Sequence, residues 1–469
     1  MRHSAIALAG CSTSPVMTQP NSKTICLIIA SLLLPFILSA QTASPAASPP
    51  SSAGSKSPWS TSVGLTLRET FDSNVFLQDT PADPTSVDVA ATAGLNAVTA
   101  KQSSLVTSVL PQFGLDYRPC QTVNAAATYA PEMTYYHSAS SEDYVTHRGT
   151  LNLGGKIDAA SWEFLNTASY IDGNEIGPTF ARPGDVPALG GIPLRDRREA
   201  FIFRNGFKLT YPVKNFFIRP VATTYFHDFK TDQRRSPTPS AWVYENYIDR
   251  QEVSGGLDAG YRVANHTHVL LGYRYGAQDQ GTLLGVSSPF DNSYQRLTVG
   301  VEGRPAEWLK LAAVGGPDFR DFYSGSIPGF DGDELLCYVD ASITVLPTAQ
   351  DSIVLAYRRS EQPAFSSLSM YEDIVYSLAC RHKLGDCFTI GAGLQIYVGD
   401  WQPPTVREDW IYTPSASVAF NYRKVSVELA YSYDSAENKA KVVAGTPTTY
   451  ADGREFTRHL VSLGLKYVF

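Results

Sequence analysis

The side chains of this chain that could do chemistry are mostly charged groups set at alternate positions within apolar runs. Arg204 and Lys208, Glu252, Asp258 and Arg262, Arg274, Arg296 and Glu302, Lys310, Asp340, Arg358, Asp373, Lys424 and Glu428, and Arg458 and Lys466 follow this rule. A period of two places such residues on one face of a strand and their apolar neighbours on the other. Charges on the inner face of a closed sheet line a polar lumen and set its ion preference. Basic residues outnumber acidic ones in this set, so the expectation is passive diffusion of small hydrophilic solutes with a weak preference for anions. The competing expectation is that the same charges pair along the wall and only stabilise it.

Catalytic and metal chemistry find less support. His137 and His147 flank an expected outer loop and His227-Asp228 ends a strand, but no nucleophile motif accompanies them. His266 and His268 share a strand face beside a tight turn without a third ligand, so they are read as rim residues. Cys380 and Cys387 flank the Lys383-Leu384 turn and could bridge in an oxidising compartment. No CxxC pair occurs. The chain is therefore not expected to be an enzyme, and no cofactor or metal is assigned.

The elements that must carry these residues are strands. Val461, Leu463, Leu465, Tyr467 and Phe469 alternate with Ser462, Gly464, Lys466 and Val468, and Val425 to Tyr433 repeats the design. Comparable runs of about ten residues cover Tyr412–Tyr422, Phe388–Val398, Leu335–Val345, Gln295–Val301, Val269–Tyr275, Val253–Val263 and Phe201–Tyr211, the strand length a barrel needs. Short turns near Pro119, Asp158, Lys214, Asn265, Pro305, Thr348, Gly385 and Arg423 alternate with long connections rich in Asp, Pro, Gly and Ser. The long ones are Asp72–Gln102, Asp172–Arg195, Thr231–Val243, Gln278–Pro289, Ser324–Asp333, Glu361–Met370, Gly399–Trp410 and Ala436–Gly453. This is the layout of an all-β, antiparallel up-and-down transmembrane barrel of about 16–18 strands. Segments 86–117 and 215–230 are ambiguous between strand and loop. Asp72–Gln102 and Asp172–Arg195, the longest loops, are the expected constrictions. Aromatics bunched at Tyr135-Tyr136, Phe319–Tyr323, Tyr431/Tyr433 and Tyr467/Phe469 suit two interfacial girdles.

Ahead of the barrel, Lys23 precedes the apolar run Ile25–Leu38 and the small residues Ser39-Ala40, which reads as an export signal over 1–40, with Met17 as an alternative start. Residues 41–58, rich in Pro and Ser, form a flexible periplasmic leader. The barrel is expected over 59–469. Its last strand, with Leu463, Leu465, Tyr467 and Phe469 at alternate positions, resembles the insertion signal by which Gram-negative outer-membrane barrels engage their assembly machinery.

Phe71-Asp72-Ser73-Asn74-Val75-Phe76, at the end of the first strand, resembles the aromatic-Asp-x-Asn-aliphatic-aromatic motif of the outer-membrane β-barrel porin families. Some members of those families are encoded with exopolysaccharide machinery. The resemblance implies a barrel in the outer membrane and transfers no site residue. From the residues themselves, Asp72 and Asn74 read as an Asx turn leaving the strand.

Composition agrees with that reading and removes others. The chain has 469 residues, 18% charged and 12% aromatic, with mean hydropathy −0.14. Past residue 40 no apolar run reaches the ~20 residues of a membrane helix. A net charge of −7 without a basic cluster argues against nucleic acid. A soluble propeller would show a blade repeat, and none is visible. The lipid bilayer is the expected partner, with small solutes or polysaccharide as cargo. Polysaccharide export, or a non-conducting structural or adhesive barrel, remains the alternative function, and oligomeric state is left open.

Overall fold

The structure is a computed structural model that describes residues 57–75, 77, 101–120, 122–173, 199–233, 246–324, 330, 332, 335–365, 368–403, 407–440 and 456–469. The expected export signal and most of the leader lie outside the described residues. So do the interiors of the two longest loops.

Alternation is realised as strands throughout. In chain order they are β1 (Trp59–Asp72), β2 (Ser104–Tyr117), β3 (Val123–Tyr129), β4 (Glu132–Tyr136), β5 (Tyr144–Ile157), β6 (Ala160–Asp172), β7 (Glu199–Val213), β8 (Phe216–Phe229), β9 (Arg250–Ala264) and β10 (Thr267–Gln280). They continue as β11 (Asn292–Ala306), β12 (Leu309–Phe322), β13 (Leu336–Val345), β14 (Asp351–Pro363), β15 (Met370–Leu384), β16 (Phe388–Trp401), β17 (Arg407–Tyr422), β18 (Val425–Ala440) and β19 (Phe456–Val468). β3 and β4 are halves of one strand: both pair with β2 on one side and β5 on the other, in unbroken register. Pro131 lies between them, and its missing N–H removes a ladder bond.

Each strand pairs antiparallel with its sequence neighbour, and β1 pairs with β19 from Gly64↔Val468 to Asp72↔Leu460. The sheet therefore closes into an eighteen-stranded barrel with no free edge. Closure matters because lipid offers nothing to bond an open edge. Most strands run 13 to 16 residues, longer than the expected ten. Tilted strands that project past the bilayer account for the difference. Of the ambiguous segments, 215–230 resolves as β8 and the described part of 86–117 as β2 from Ser104; residues 86–100 lie outside the described residues. The expected loop Gly399–Trp410 shrinks, because β16 runs to Trp401 and β17 starts at Arg407.

Two faces follow from the register. Outward residues are apolar and uncovered: Leu271 and Val299, directly paired, are 61% and 62% exposed. Trp59, Tyr211, Tyr261, Trp308, Phe388, Tyr422 and Phe469 ring the short-turn end, while Phe71, Tyr135, Tyr275, Phe319, Tyr376 and Tyr431 ring the other. On β17, Tyr412 and Phe420 stand eight residues apart, about 27 Å along the strand and about 20 Å of height at ordinary barrel tilt. An apolar belt of that height between aromatic rings makes this a membrane barrel of the outer-membrane type. Tyr136 is a correction to the expected girdle, since alternation turns it inward beside Val106, where it is buried. Among the described residues no helix is long and apolar enough to cross a membrane.

Candidate functional site: the inner wall

The charged set divides by register. Arg204, Lys208, Glu252, Asp258, Arg262, Arg274, Arg296, Glu302, Lys310, Asp340, Arg358, Glu428, Arg458 and Lys466 all stand on the face opposite the apolar belt, as does Asp373. Lys424 does not. Tyr422 pairs directly with Val425, so Arg423 and Lys424 form the turn between β17 and β18, and Lys424 belongs to the short-turn rim.

At the long-loop end the inner face is packed. Asp318 on β12 accepts from Arg296 at 2.7 Å and Arg320 at 3.2 Å, and Arg358 bonds Asp373 at 2.9 Å. The Arg296 guanidinium lies between the rings of Tyr294 and Tyr338, at 4.8 and 3.7 Å from their centroids. Glu132 draws in Arg68 at 2.8 Å and Arg148 at 3.5 Å. Midway down, Arg219 forks onto Glu302 with two 3.0 Å bonds and also reaches Asp258, which Arg274 contacts at 2.7 Å. Much of the charge on the wall is thus neutralised by neighbours.

The seam where the sheet closes is held in the same way. Arg458 on β19 donates to both Asp72 oxygens, at 3.0 and 2.7 Å, with both side chains essentially without exposure. Asp434 of β18 stands 4.0 Å from Arg458 and accepts from Thr413 at 2.6 Å. The Asn74 amide N–H bonds Asp72 Oδ1 at 2.9 Å, which is the expected Asx turn, and its side chain donates to the Thr457 carbonyl. The Phe71–Phe76 motif therefore ties the first strand to the last.

Loops narrow this end further. β14 does not stop at the rim; its continuation bends inward to the β8–β10 wall. Arg250 donates to the Pro363 carbonyl at 2.8 Å and to Gln362, Gln280 to the Ala364 carbonyl at 2.6 Å, and Ile248 N–H to the Phe365 carbonyl at 2.7 Å. Phe365 then packs on His227, Phe229 and Tyr247. Across the barrel Leu77, just past β1, packs against Tyr397, Ile411, Ala436 and Phe456. Narrowing in the described residues thus comes from the β14–β15 connection and the start of the β1–β2 loop. The body of that loop, and of Asp172–Arg195, lies outside them. Outside the strands, burial pushes the carboxyls of Asp249 and Asp291 up; each accepts the N–H of a strand end, Phe229 and Gln280.

The short-turn half differs. Many inward positions there are Gly, Ser, Ala or Thr; the charged ones include the exposed Lys156, Lys310, Arg381, Lys383 and Lys466, the exposed Glu163 and Glu428, and Asp116, with Lys208 bonded to Glu163 at 2.7 Å. Arg262 donates to the neutral Asn215 side chain at 2.7 Å. Among the described residues no carboxylate pairs with Lys310, Arg381 or Lys466.

The remaining candidates fall elsewhere. His266 lies in the β9–β10 turn with φ 55°, and only His268 is on the wall, against Phe217. His137 and His147 are outside, bonded to Thr107 and Tyr129. His227 sits under Phe365 and bonds Tyr225. Cys380 faces Ala392, not Cys387, and both thiols are free. Sequence reasoning missed Arg219, Arg250, Arg320 and Asp318. Their signal was present in part, since Asp318 and Arg320 keep the parity of Lys310.

No protein-family model matches this sequence, and no curated protein matches it. Solved structures with a similar course include three from Pseudomonas aeruginosa. The outer-membrane protein OpdK is 9% identical, with TM-score 0.39 over 87% of this chain and 98% of its own. OpdQ is 9% identical, with TM-score 0.40 over 87% and 97%. A mutant of the ferric enterobactin receptor PfeA is 7% identical, with TM-score 0.41 over 87% and 80%. At such identities no ligand or site residue of theirs transfers to this chain.

Proposed function

We propose that this chain is an outer-membrane channel for passive diffusion of small hydrophilic solutes, weakly anion-preferring and restricted at its long-loop mouth. The observation that carries this reading is the contrast between a closed apolar exterior and an interior of charged and hydroxyl side chains, the arrangement of a water-filled barrel. Most wall charges cancel in pairs, which keeps selectivity weak. The cations that remain open to water, Lys310, Arg381, Arg262 and Lys466, gather with Lys156 and Lys383 at the short-turn mouth, where Asp116, Glu163 and Glu428 oppose them and Glu163 is already paired with Lys208. Leu463, Leu465, Tyr467 and Phe469 all face outward and are exposed, which supports their reading as the surface offered to the assembly machinery.

Planar-bilayer recording in a salt gradient tests the function. The wild-type barrel gives channels whose reversal potential has the sign of anion preference, and the Lys310→Glu/Lys466→Glu variant moves it toward cations. Both residues are exposed, so their stability cost stays within about 0.5 kcal/mol. Absence of channels, or cation preference in the wild type, rejects the proposal.

A further inference from the structure

Midway between its girdles the lipid-facing belt carries a polar row on β6–β8. On β6, β7 and β8 the outward series reads Trp162, Phe164, Asn166, Ala168, Tyr170, then Phe201, Phe203, Asn205, Phe207, Leu209, Tyr211, then Ile218, Pro220, Ala222, Thr224, Phe226. Asn166 is directly opposite Asn205, and Asn205 directly opposite Thr224, so the three form one row across adjacent strands. Leu151 and Val253 bound the row on either side, both exposed and apolar. On β7, Asn205 sits midway between Phe201 at one girdle and Tyr211 at the other, at the depth of the hydrocarbon core.

Two members of this row, Asn205 and Thr224, are unsatisfied within the barrel. Both side-chain polar atoms of Asn205, which is 1% exposed, and the hydroxyl of Thr224 lack a hydrogen-bond partner. Acyl chains provide neither donors nor acceptors, and water is absent at this depth, so a lipid surround leaves the cost standing. A protein surface removes it. Small outward residues flank the row, Ala168 opposite Gly149 and Ala222 opposite Gly255, and small residues let two membrane surfaces approach closely.

We infer that the β6–β8 face is an interface with a second copy of this chain, packed about a two-fold axis parallel to the barrel axis. A carboxamide both donates and accepts, so a row of Asn166, Asn205 and Thr224 meeting its own image is self-complementary, as an isologous contact requires. Asn166, the half-buried member, makes first contact. Asn205 and Thr224, 1% and 4% exposed in the single barrel, turn outward to complete the row. The inference is independent of conductance and stands or falls with the oligomeric state.

Disulfide cross-linking in intact outer membranes tests it, using Ala222→Cys in a background where Cys120, Cys337, Cys380 and Cys387 are replaced by Ser. The expected product is a species of twice the chain mass, abolished by adding Asn166→Leu and Thr224→Val while the unheated barrel still migrates as folded. Mass photometry of the detergent-extracted wild type gives the matching dimer. A monomer in both measurements overturns the inference, as does a cross-linked dimer that survives the two substitutions or an oligomer of higher order.

Discussion

At the long-loop end almost every strand sends a buried side chain into the barrel; at the short-turn end the same strands send Gly, Ser, Ala and exposed Lys. β17 shows both within four residues: Thr413 is buried and bonded to Asp434, while Ser415 and Ser417 face open space beside Gly393 and Gly391. On β17 the period and register are identical in the two halves. What differs is side-chain reach and pairing. Long guanidinium, carboxylate and phenol groups meet across strands, desolvate one another and narrow the mouth, whereas small residues leave the lumen to water. Alternation therefore decides which way a side chain points, and its size and charge partner decide whether the space is filled. One barrel can then hold a packed half above an open one.

The largest effect that would break this contrast is at the seam. Asp72→Ala leaves Arg458 buried beside a single carboxylate 4.0 Å away, and stranding a buried charge in this way costs about 3–5 kcal/mol. Urea unfolding in lipid vesicles should show that loss, and the triple variant Asp72→Leu/Arg458→Leu/Asp434→Asn, which leaves no charge buried there, should recover most of it. A single-variant loss under about 1 kcal/mol, the range of a surface pair, would mean that the packed half is not held by its ion pairs.

Next in size is the inward segment. Arg250→Ala with Gln280→Ala removes the bonds to Pro363, Gln362 and Ala364; hydrogen bonds to a charged donor are worth about 1.5–3 kcal/mol. Single-channel conductance should rise while the sign of selectivity stays fixed, because the open cations lie in the other half. Unchanged conductance would place the narrowest point elsewhere.

The sequence carried the closed antiparallel sheet, its strand number and the side on which nearly every named charge stands, because period two survives in each strand separately. Lys424 escaped because parity does not extend through a two-residue turn. The filled mouth escaped for another reason. Arg250 and the Pro363 carbonyl are 113 residues apart, and Arg458 and Asp72 are 386 apart; such pairs are fixed by closure and by loops folding inward, which leave no periodic trace. Asp72 and Asn74 were legible as a turn but not as a clasp, since the partner strand is at the far end of the chain.

The smallest effect gives the sharpest comparison, because it uses one strand and one substitution. Tyr at position 413 must enter a site where Thr413 already donates to Asp434 and the inner face is closed, so Thr413→Tyr is overpacked and costs about 1–3 kcal/mol. Tyr at position 417 adds the same atoms to a wall where Ser417 faces Gly391 and Ala430. Ser417→Tyr should change stability by about 0.5 kcal/mol or less and lower conductance slightly by projecting into the open half. Paired unfolding and conductance measurements on the two variants would show opposite patterns, stability lost in one and current reduced in the other. Equal destabilisation would mean that the short-turn half is packed as tightly as the mouth, and the distinction between packed and open halves would then fail.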